Sequence, residues 1–238
     1  QYRTARSGGP GGGGRTRRPG PDDDDVMVCP GSLPDDLGGV TVHGYQYVGS
    51  VRTPASVVAG VDLGDPVFAE NVRAAVARTE DLISTELRAG DELMTEAVLH
   101  LFEAGGKRFR PLFTVLSASV GPEPDAWQVT VAGAVIELVH LATLYHDDVM
   151  DEAQVRRGAT SANARWGNNI AILAGDYLFA TASRLVASLG PDAVRIIAET
   201  FAELVTGQMR ETKGSGPGTD PIDHYLRVVS EKTACLIA

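Results

Sequence analysis

The strongest constraint on the fold is a long apolar segment near the middle of the chain, residues 125–151. A helix at the surface of a protein has a polar face, whereas a helix surrounded by others is apolar on all sides. Apolar side chains would cover most of the circumference of this helix: Val129, Val131, Ala134, Val135, Ile136, Leu138, Val139, Leu141 and Leu144. The segment therefore predicts a helix buried inside a bundle.

The same segment does not predict a membrane span. Its longest apolar stretch, residues 129–144, is interrupted by Glu137 and His140 and is shorter than the roughly 20 residues that a transmembrane helix needs. We expect no transmembrane segment.

Further helices are expected wherever the chain carries helix start and stop signals. Asp65 followed by Pro66 is an N-cap followed by proline at the first helical position. The expected helices cover residues 66–88, 91–103, 108–119, 168–189, 191–212 and 220–238. Because no alternating, strand-like segment competes with them, the sequence predicts an all-α bundle.

The first 50 residues differ in composition from the rest of the chain. They contain 12 Gly, 5 Pro and an acidic run at residues 22–25, and they have no helical period. Such a composition is typical of a disordered segment, and nothing around the acidic run would fix ligands for a cation. We expect residues 1–50 to be disordered and residues 51–238 to form one folded domain.

Charge and cysteine content exclude several classes of protein. The chain carries 31 acidic residues against 21 Lys and Arg, a net charge of −10, which argues against nucleic acid as the main partner. Two cysteines, Cys29 and Cys235, cannot form a disulfide framework or a metal cluster. Since the N-terminus also lacks the apolar core of a signal peptide, we expect a cytoplasmic protein.

Three carboxylates crowd the end of the buried helix: Asp147, Asp148 and Asp151. Asp147 and Asp151 are one turn apart, so they share a face, where like charges repel each other and oppose the helix dipole. Mg²⁺ binds through one or two carboxylates together with waters and substrate phosphates. The cluster therefore indicates a divalent cation site; the alternative is a solvated helix end.

Two basic motifs lie on either side of this cluster in the sequence, GGKRFRP at residues 105–111 and RRG at residues 156–158. Each would ordinarily be a set of exposed surface charges. A diphosphate, however, needs cations on some oxygens and guanidinium or ammonium donors on others. Lys107 with Arg110, and Arg156 with Arg157, are therefore predicted to be two anion clamps.

In this order and spacing the motifs resemble the all-trans polyprenyl diphosphate synthases. The matching stretches are GGKRFRP at 105–111, HDDVMD at 146–151, RRG at 156–158, GD at 175–176, GQMRE at 207–211 and EKTA at 231–234. The chain is most similar to long-chain members, the nonaprenyl and heptaprenyl synthases that make the side chain of a respiratory quinone such as menaquinone. The resemblance implies an isoprenoid-synthase-type helical bundle around a central cavity, and a homodimer.

The resemblance also implies a reaction, in which isopentenyl diphosphate is joined to an allylic diphosphate such as farnesyl or geranylgeranyl diphosphate. It implies that Asp147 and Asp151 hold Mg²⁺, with Mn²⁺ as an alternative, and that Asp148 and Lys232 complete the catalytic set. It assigns isopentenyl diphosphate to Lys107, Arg110, His140 and Arg157, and the allylic diphosphate to Arg156, Gln208, Lys232 and Thr233. His140 lies seven residues before Asp147, which puts both on one helix face.

Product length is expected to depend on small residues before the acidic cluster. Ala142, five residues before Asp147, and its neighbour Thr143 would leave a tunnel open where short-chain relatives have a bulky aromatic residue. We therefore expect a long product. Because such a product is itself hydrophobic, its release is expected to involve peripheral contact with a membrane surface.

One family motif has no match in the chain. The second aspartate-rich motif normally follows the Lys232–Thr233 pair at a distance, but the sequence ends at Ala238. We expect a C-terminally truncated chain whose bundle is incomplete and whose activity alone is low. Val228, Val229, Leu236 and Ile237 are expected to lack packing partners.

Three other interpretations remain open. His146–Asp147 forms the HD doublet of some metal-dependent phosphohydrolases, a prenyl-binding partner subunit would be non-catalytic, and terpene cyclases also use DDxxD. A cyclase has no role for GGKRxRP or RRG, because it binds no isopentenyl diphosphate. Analysis of the products distinguishes these interpretations from a synthase.

Overall fold

The central segment forms a 24-residue helix, α4 (Trp127–Met150), in the computed structural model, which describes residues 55–90 and 92–237. The expected disorder of residues 1–50 lies outside this range. In chain order the other helices are α1 (Pro66–Arg88), α2 (Glu92–Glu103), α3 (Phe109–Ala118), α5 (Ala162–Trp166), α6 (Asn168–Ala187), α7 (Pro191–Lys213) and α8 (Pro221–Lys232). The prediction of an all-α bundle is confirmed.

Helix α4 packs against α6 along most of its length and against α1 and α3 on other sides. Eleven of its residues are buried, and most of them, including Leu138 and Leu141, are apolar. Complete burial of one such side chain contributes about 1.5–3 kcal/mol, so this helix organises the core. Two of the buried residues are acids, Glu137 and Asp148.

Tyr145 fixes α2 to α4. Its ring is fully buried, its hydroxyl donates to the carbonyl oxygen of Ala97, and it accepts from the amide of Leu101 at 3.2 Å. Burial raises the pKa of Tyr145 to about 12, so the hydroxyl keeps its proton for this bond. The loop that follows α2 is thereby held beside the end of α4.

Two short hairpins were missed by the sequence analysis. They pair β1 (Val57–Val58) with β2 (Val61–Asp62), and β3 (Val155–Arg156) with β4 (Ala159–Thr160). Two-residue strands are too short to show an alternating pattern. Each hairpin closes through two residues with positive φ that end in glycine, the condition for a type I′ turn.

The last predicted helix ends early. Helix α8 stops at Lys232, and the chain turns at Thr233 into a 3₁₀ turn, Ala234–Leu236, instead of continuing to residue 238. The turn buries Leu236 in the main core, which a straight continuation would not do. The prediction that this end lacks packing partners is wrong for Leu236 and Val228, both buried, whereas Val229 is 38% exposed.

Helices α4 and α6 are long and apolar enough to cross a membrane, by length and composition. About half of the relevant stretch of each is buried inside the bundle, as in core helices of globular proteins. Their apolar character is therefore explained by packing within the protein.

Candidate active site

One face of α4 stays partly open while the rest of the helix is buried. It carries Ile136, His140, Thr143 and Asp147, at intervals of four, three and four residues. This spacing follows a single line along an α-helix. The face begins apolar and ends at the acidic cluster.

Asp147 lies at the mouth of this face, opposite the end of α8. Its Oδ2 is 3.9 Å from Nζ of Lys232, which also pairs with Glu211 on α7. Partial burial raises the pKa of Asp147, the Lys232 ammonium opposes this effect, and nearby Asp151 adds to it. The structure thus brings together three predicted site residues from two distant segments.

A close approach between α7 and α8 positions Lys232. A Cβ added to Gly207 would lie 2.5 Å from the backbone nitrogen of Lys232 and 2.8 Å from the carbonyl carbon of Glu231. Only glycine allows the two backbones to pack at this distance. This contact accounts for the glycine of the GQMRE motif.

Asp148 points away from Asp147, into the protein. It is fully buried, its Oδ1 accepts a hydrogen bond from Nε of Arg156 at 2.6 Å, and the same oxygen forms an ion pair with Nη2 of Arg156 at 2.6 Å. Burial raises the pKa of Asp148, and the Arg156 guanidinium acts against that rise. Arg156, predicted to contact the allylic diphosphate, pairs with this carboxylate, whose Oδ2 meets no hydrogen-bond partner within the described residues.

Arg157 is the first residue of the β3–β4 turn. It has a φ of 53° and is followed by Gly158 with a φ of 76°, which explains the glycine of the RRG motif. Its Nη1 donates to the carbonyl oxygens of Leu101 at 2.9 Å and Gly105 at 2.6 Å. A Cβ on Gly106 would come within 3.0 Å of the guanidinium carbon of Arg157. The glycine at 106 therefore allows the GGKRFRP loop to pack closely against the arginine of the RRG motif.

The hairpin that carries both arginines is anchored on its other side. His100 on α2 has Nε2 2.6 Å from the carbonyl oxygen of Thr160, and Nδ2 of Asn163 donates to the carbonyl oxygen of Ala153 at 3.1 Å. Sequence reasoning gave His100 no role, since its partner is a backbone atom 60 residues away.

His140 lies on the open face among cations. Burial, together with the charges of Arg110, Arg157 and Arg156, lowers the pKa of His140 to about 3. The imidazole is therefore neutral at physiological pH. It can donate one hydrogen bond to an anion without adding a charge.

Two charged residues of this region, Glu137 and Arg108, were not predicted as site residues. Oε1 of Glu137 lies 3.6 Å from Nη1 of Arg108 and 3.7 Å from Nη2 of Arg157. Arg110 has a buried Nε without a hydrogen-bond partner in the part of the chain that the structure describes. The signal that could have identified Glu137 was its position as a lone acid inside an apolar helix.

The remaining predicted residues lie at different depths. Lys107 is exposed on the loop before α3, and Thr233 is exposed at the end of α8. Gln208 is half-buried, and its Oε1 finds no partner among the described residues.

The two residues expected to set product length lie on different faces of α4. Thr143 shares the open face with Asp147, whereas Ala142 is 2% exposed and belongs to the closed core. Five residues rotate a helix position by about 140°, so Ala142 does not continue the wall below Asp147. Their effect on product length stays a prediction.

His146 does not join the acidic cluster. Its Nε2 is 3.2 Å from the carbonyl oxygen of Ile172 and 3.3 Å from Oδ1 of Asp176, both on α6. The ring occupies the space beside Gly175, where a Cβ would overlap it. This packing explains the glycine and the aspartate of the GD motif. It also argues against a phosphohydrolase with a metal bound by His146 and Asp147, because His146 faces α6 and not the acidic cluster.

The donor set at the mouth of the open face fits a hard divalent cation. Asp147 and Asp151 supply carboxylate oxygens one turn apart, and Asp151 is exposed. No group of three or more His, Cys, Asp or Glu is arranged for a metal among the described residues. Two carboxylates are nevertheless sufficient for Mg²⁺ when a substrate diphosphate and waters supply the other ligands.

Comparison with known proteins gives one consistent family. A profile of the polyprenyl synthetase family matches residues 91–238. A nonaprenyl diphosphate synthase of Mycobacterium tuberculosis is 75% identical over 187 residues, which are 79% of this chain and 56% of the relative. A dimethylallyltranstransferase of the same species is 57% identical over 182 residues, 76% of this chain and 56% of the relative.

A solved structure matches the fold. The geranylgeranyl pyrophosphate synthase of Corynebacterium glutamicum, complexed with calcium and isoprenyl diphosphate, superposes with a TM-score of 0.66 and 52% sequence identity. The match covers 74% of this chain and 54% of that chain. The chain thus spans about half the length of the relatives it matches.

Proposed function

Because this chain belongs to the polyprenyl synthetase family, we propose that the whole protein is a Mg²⁺-dependent trans-prenyltransferase. It adds isopentenyl diphosphate to an allylic diphosphate and makes a long-chain all-trans polyprenyl diphosphate for a quinone side chain. The observation that carries the proposal is the open face of α4, where Asp147 meets Lys232 close to the cluster of Arg110, Arg157 and His140.

The anionic substrates bind at two places in this proposal. Arg110, Arg157 and neutral His140, with Lys107 from the loop before α3, hold isopentenyl diphosphate. Asp147 and Asp151 hold the cation for the allylic diphosphate, and Arg156, Lys232, Thr233 and Gln208 contact that diphosphate directly. Each bond between a phosphate oxygen and a charged donor contributes on the order of 1.5–3 kcal/mol.

The chemical step is a substitution at the allylic carbon. The carbon–oxygen bond breaks, the isopentenyl double bond attacks the allylic carbon, and a proton is then lost from the new chain. A bound divalent cation supplies stabilisation of the negative charge on the departing diphosphate. Lys232 adds a second positive charge on the same side.

In this proposal the part of the open face beside the acidic cluster shields the reaction from water. Thr143 lies one turn below Asp147, where the allylic cation and the growing tail would lie, and its hydroxyl donates to the carbonyl oxygen of His140 at 2.8 Å. A carbocation that met water would be hydrolysed, so a dry wall at this position favours elongation. The residue on this face nearest to the acidic cluster, Thr143, is not aromatic, which supports a long product.

Location and assembly are part of the same proposal. We propose a cytoplasmic homodimer that releases its product at a membrane surface. Helix α7 leaves an apolar stripe exposed, which includes Val194, Val205 and Met209, and either a second subunit or the rest of the protein would pack on it. The intact carboxylates and basic clusters argue against a non-catalytic prenyl-binding subunit.

The test is incorporation of labelled isopentenyl diphosphate by the full-length protein with farnesyl diphosphate and Mg²⁺. The products are dephosphorylated and sized. We expect a long-chain product that EDTA abolishes, that Asp147→Asn reduces at least a hundredfold, and that the exposed control Asp192→Asn leaves unchanged. No incorporation by the full-length protein would refute the proposal.

A further inference from the structure

Glu137 is an acid inside the apolar core, and the reaction proposed above gives it no role. Its side chain is 3% exposed, although it lies ten residues before the acidic cluster in the middle of α4. A carboxylate at this depth is strongly destabilising unless cations or hydrogen bonds compensate for lost hydration. Its surroundings must therefore explain its presence.

The compensation comes from guanidinium groups that belong to separate elements. Arg108 precedes α3 and Arg157 lies in the β3–β4 turn, and both have a nitrogen within 3.7 Å of Oε1 of Glu137. Arg110 on α3 also interacts electrostatically with this carboxylate. Three guanidinium groups thus lie near two carboxylates, Glu137 and the Glu80 that pairs with Arg108, so one net positive charge remains for an anion.

Other hydrogen bonds orient Arg108 and Arg157 so that one terminal nitrogen of each faces Glu137; the facing nitrogen of Arg108, Nη1, also donates to the carbonyl oxygen of Gly105 at 3.4 Å. Nε of Arg108 donates to Glu80 at 2.6 Å, and its Nη2 donates to the carbonyl oxygen of Phe102 at 2.8 Å. Nη1 of Arg157 is taken by carbonyl oxygens, so its Nη2 is the nitrogen that faces the carboxylate.

Both arginines also adopt a backbone conformation that side chains disfavour. Arg108 has a φ of 48° and Arg157 a φ of 53°. Such residues persist only where the surrounding structure holds them. Attraction to a common buried carboxylate is one force that holds both.

We propose that Glu137 is a positioning residue for the isopentenyl diphosphate site. It orients the guanidinium group of Arg157, whose Nη2 lies 3.7 Å from Oε1 of Glu137, without touching the substrate. This inference rests on the proposed function only for the identity of the anion, since the arrangement of charges would receive any diphosphate.

The direction in which diphosphate affinity changes in Glu137→Gln distinguishes a positioning role from a role in charge balance alone. If Glu137 only reduced the positive charge, Glu137→Gln would bind diphosphate more tightly. If Glu137 positions the arginines, the same change releases them and binding weakens. A purely structural role would lower the melting temperature without a selective effect on either substrate.

The experiment measures KM for each substrate and the melting temperature in the full-length protein. We expect Glu137→Gln to raise KM for isopentenyl diphosphate about tenfold, the effect of one lost charge-assisted bond, and to leave KM for the allylic diphosphate within about twofold. Glu80→Gln is the matched control, because Glu80 pairs with Arg108 from the side of α1 and should leave both constants unchanged.

Several outcomes would overturn the inference. These are an unchanged or lower KM for isopentenyl diphosphate in Glu137→Gln, or an equal rise of both constants. If that variant does not fold, Glu137→Asp keeps the charge but moves it, and an unchanged KM there would count equally against the inference.

A direct binding measurement tests the positioning role of Glu137 independently of the proposed synthase activity. If the unaltered full-length protein makes no product, the proposed function fails, and Glu137 is then tested by calorimetric titration with inorganic diphosphate. Weaker binding in Glu137→Gln than in the unaltered protein would support the positioning role. Equal or tighter binding would overturn it.

Discussion

Asp148, which is fully buried, and Arg156, which is partly exposed, form an ion pair in which Nε and Nη2 of the arginine both lie 2.6 Å from one carboxylate oxygen. Removal of one partner leaves the other partly buried and uncompensated. We expect Asp148→Asn to lower the free energy of unfolding by about 2 kcal/mol, less than a fully buried pair would lose because Arg156 is partly exposed. Urea denaturation measures this loss, and a double-mutant cycle with Arg156→Gln isolates the pair. A coupling energy near zero would contradict the expectation.

Gly207→Ala places a methyl group against the backbone of Lys232. Because the neighbouring atoms are backbone atoms, α8 must move, and overpacking of this kind destabilises by about 1–3 kcal/mol. We expect a lower melting temperature together with a higher KM for the allylic diphosphate. Gly216→Ala is the control, since the nearest atom to its added Cβ is 4.0 Å away. Equal behaviour of the two variants would be evidence against the close approach.

Gly158→Ala tests the turn that presents Arg157. A Cβ at this position meets no atom within 4 Å, so any effect must come from the positive φ of 76°. We expect a loss of about 1 kcal/mol in the free energy of unfolding. Gly158→Asn should recover part of the loss, since asparagine tolerates this conformation. Chemical denaturation measures the free energy of unfolding of the natural protein and the two variants. If Gly158→Asn is no more stable than Gly158→Ala, the positive φ at this position is not the cause of the loss.

His140 predicts a specific dependence of stability on pH. Its pKa is about 3 in the folded protein and near 6.5 when unfolded, so the unfolded chain binds more protons between these values. Stability is therefore lost as pH falls below about 6.5, by about 1.4 kcal/mol per pH unit from this group. The raised pKa values of Glu137, Asp147 and Asp148 act in the opposite sense.

The contribution of His140 is therefore measured as a difference. Unfolding free energies of the natural protein and of His140→Gln are compared from pH 7 to pH 5. The variant should lose less stability on acidification, because it has no imidazole to protonate. Parallel curves would show that another group causes the acid sensitivity.

Thr143→Phe and Ala142→Phe separate the wall of the tunnel from the core behind it. Thr143 lies on the open face, so its replacement should shorten the product with little change in stability. Ala142 is buried in the core behind this wall, so Ala142→Phe should lower the free energy of unfolding by about 1–3 kcal/mol and should shorten the product less than Thr143→Phe does. Sizing of dephosphorylated products measures the first effect, with Val120→Phe on the surface as control. An unchanged product length in Thr143→Phe would show that Thr143 does not line the tunnel.

Much of the helical frame could be predicted from the sequence, because caps and hydrophobic periodicity are local signals. The predicted bounds of 66–88 match α1, and those of 191–212 end one residue before α7 does. The end of α8 was not predictable, since the burial of Leu236 depends on contacts with distant segments.

The candidate site was predicted as a set of residues but not as an arrangement. The motifs identified which charges belong together. The pairing of Arg156 with Asp148 and the meeting of Arg108 with Glu137 depend on how the hairpin and α3 are oriented against α4. No spacing within a single helix contains that information.

The β3–β4 turn has a further consequence, because it connects two anion positions through one peptide bond. Arg156 bonds to Asp148 beside the acidic cluster, and its neighbour Arg157 reaches the carbonyl oxygens of Leu101 and Gly105. A ligand that draws Arg156 away from Asp148 breaks an ion pair that holds this hairpin against α4, and the same hairpin presents Arg157. We therefore expect the affinities for the two substrates to be linked, and thermodynamic reciprocity makes that linkage equal in both directions.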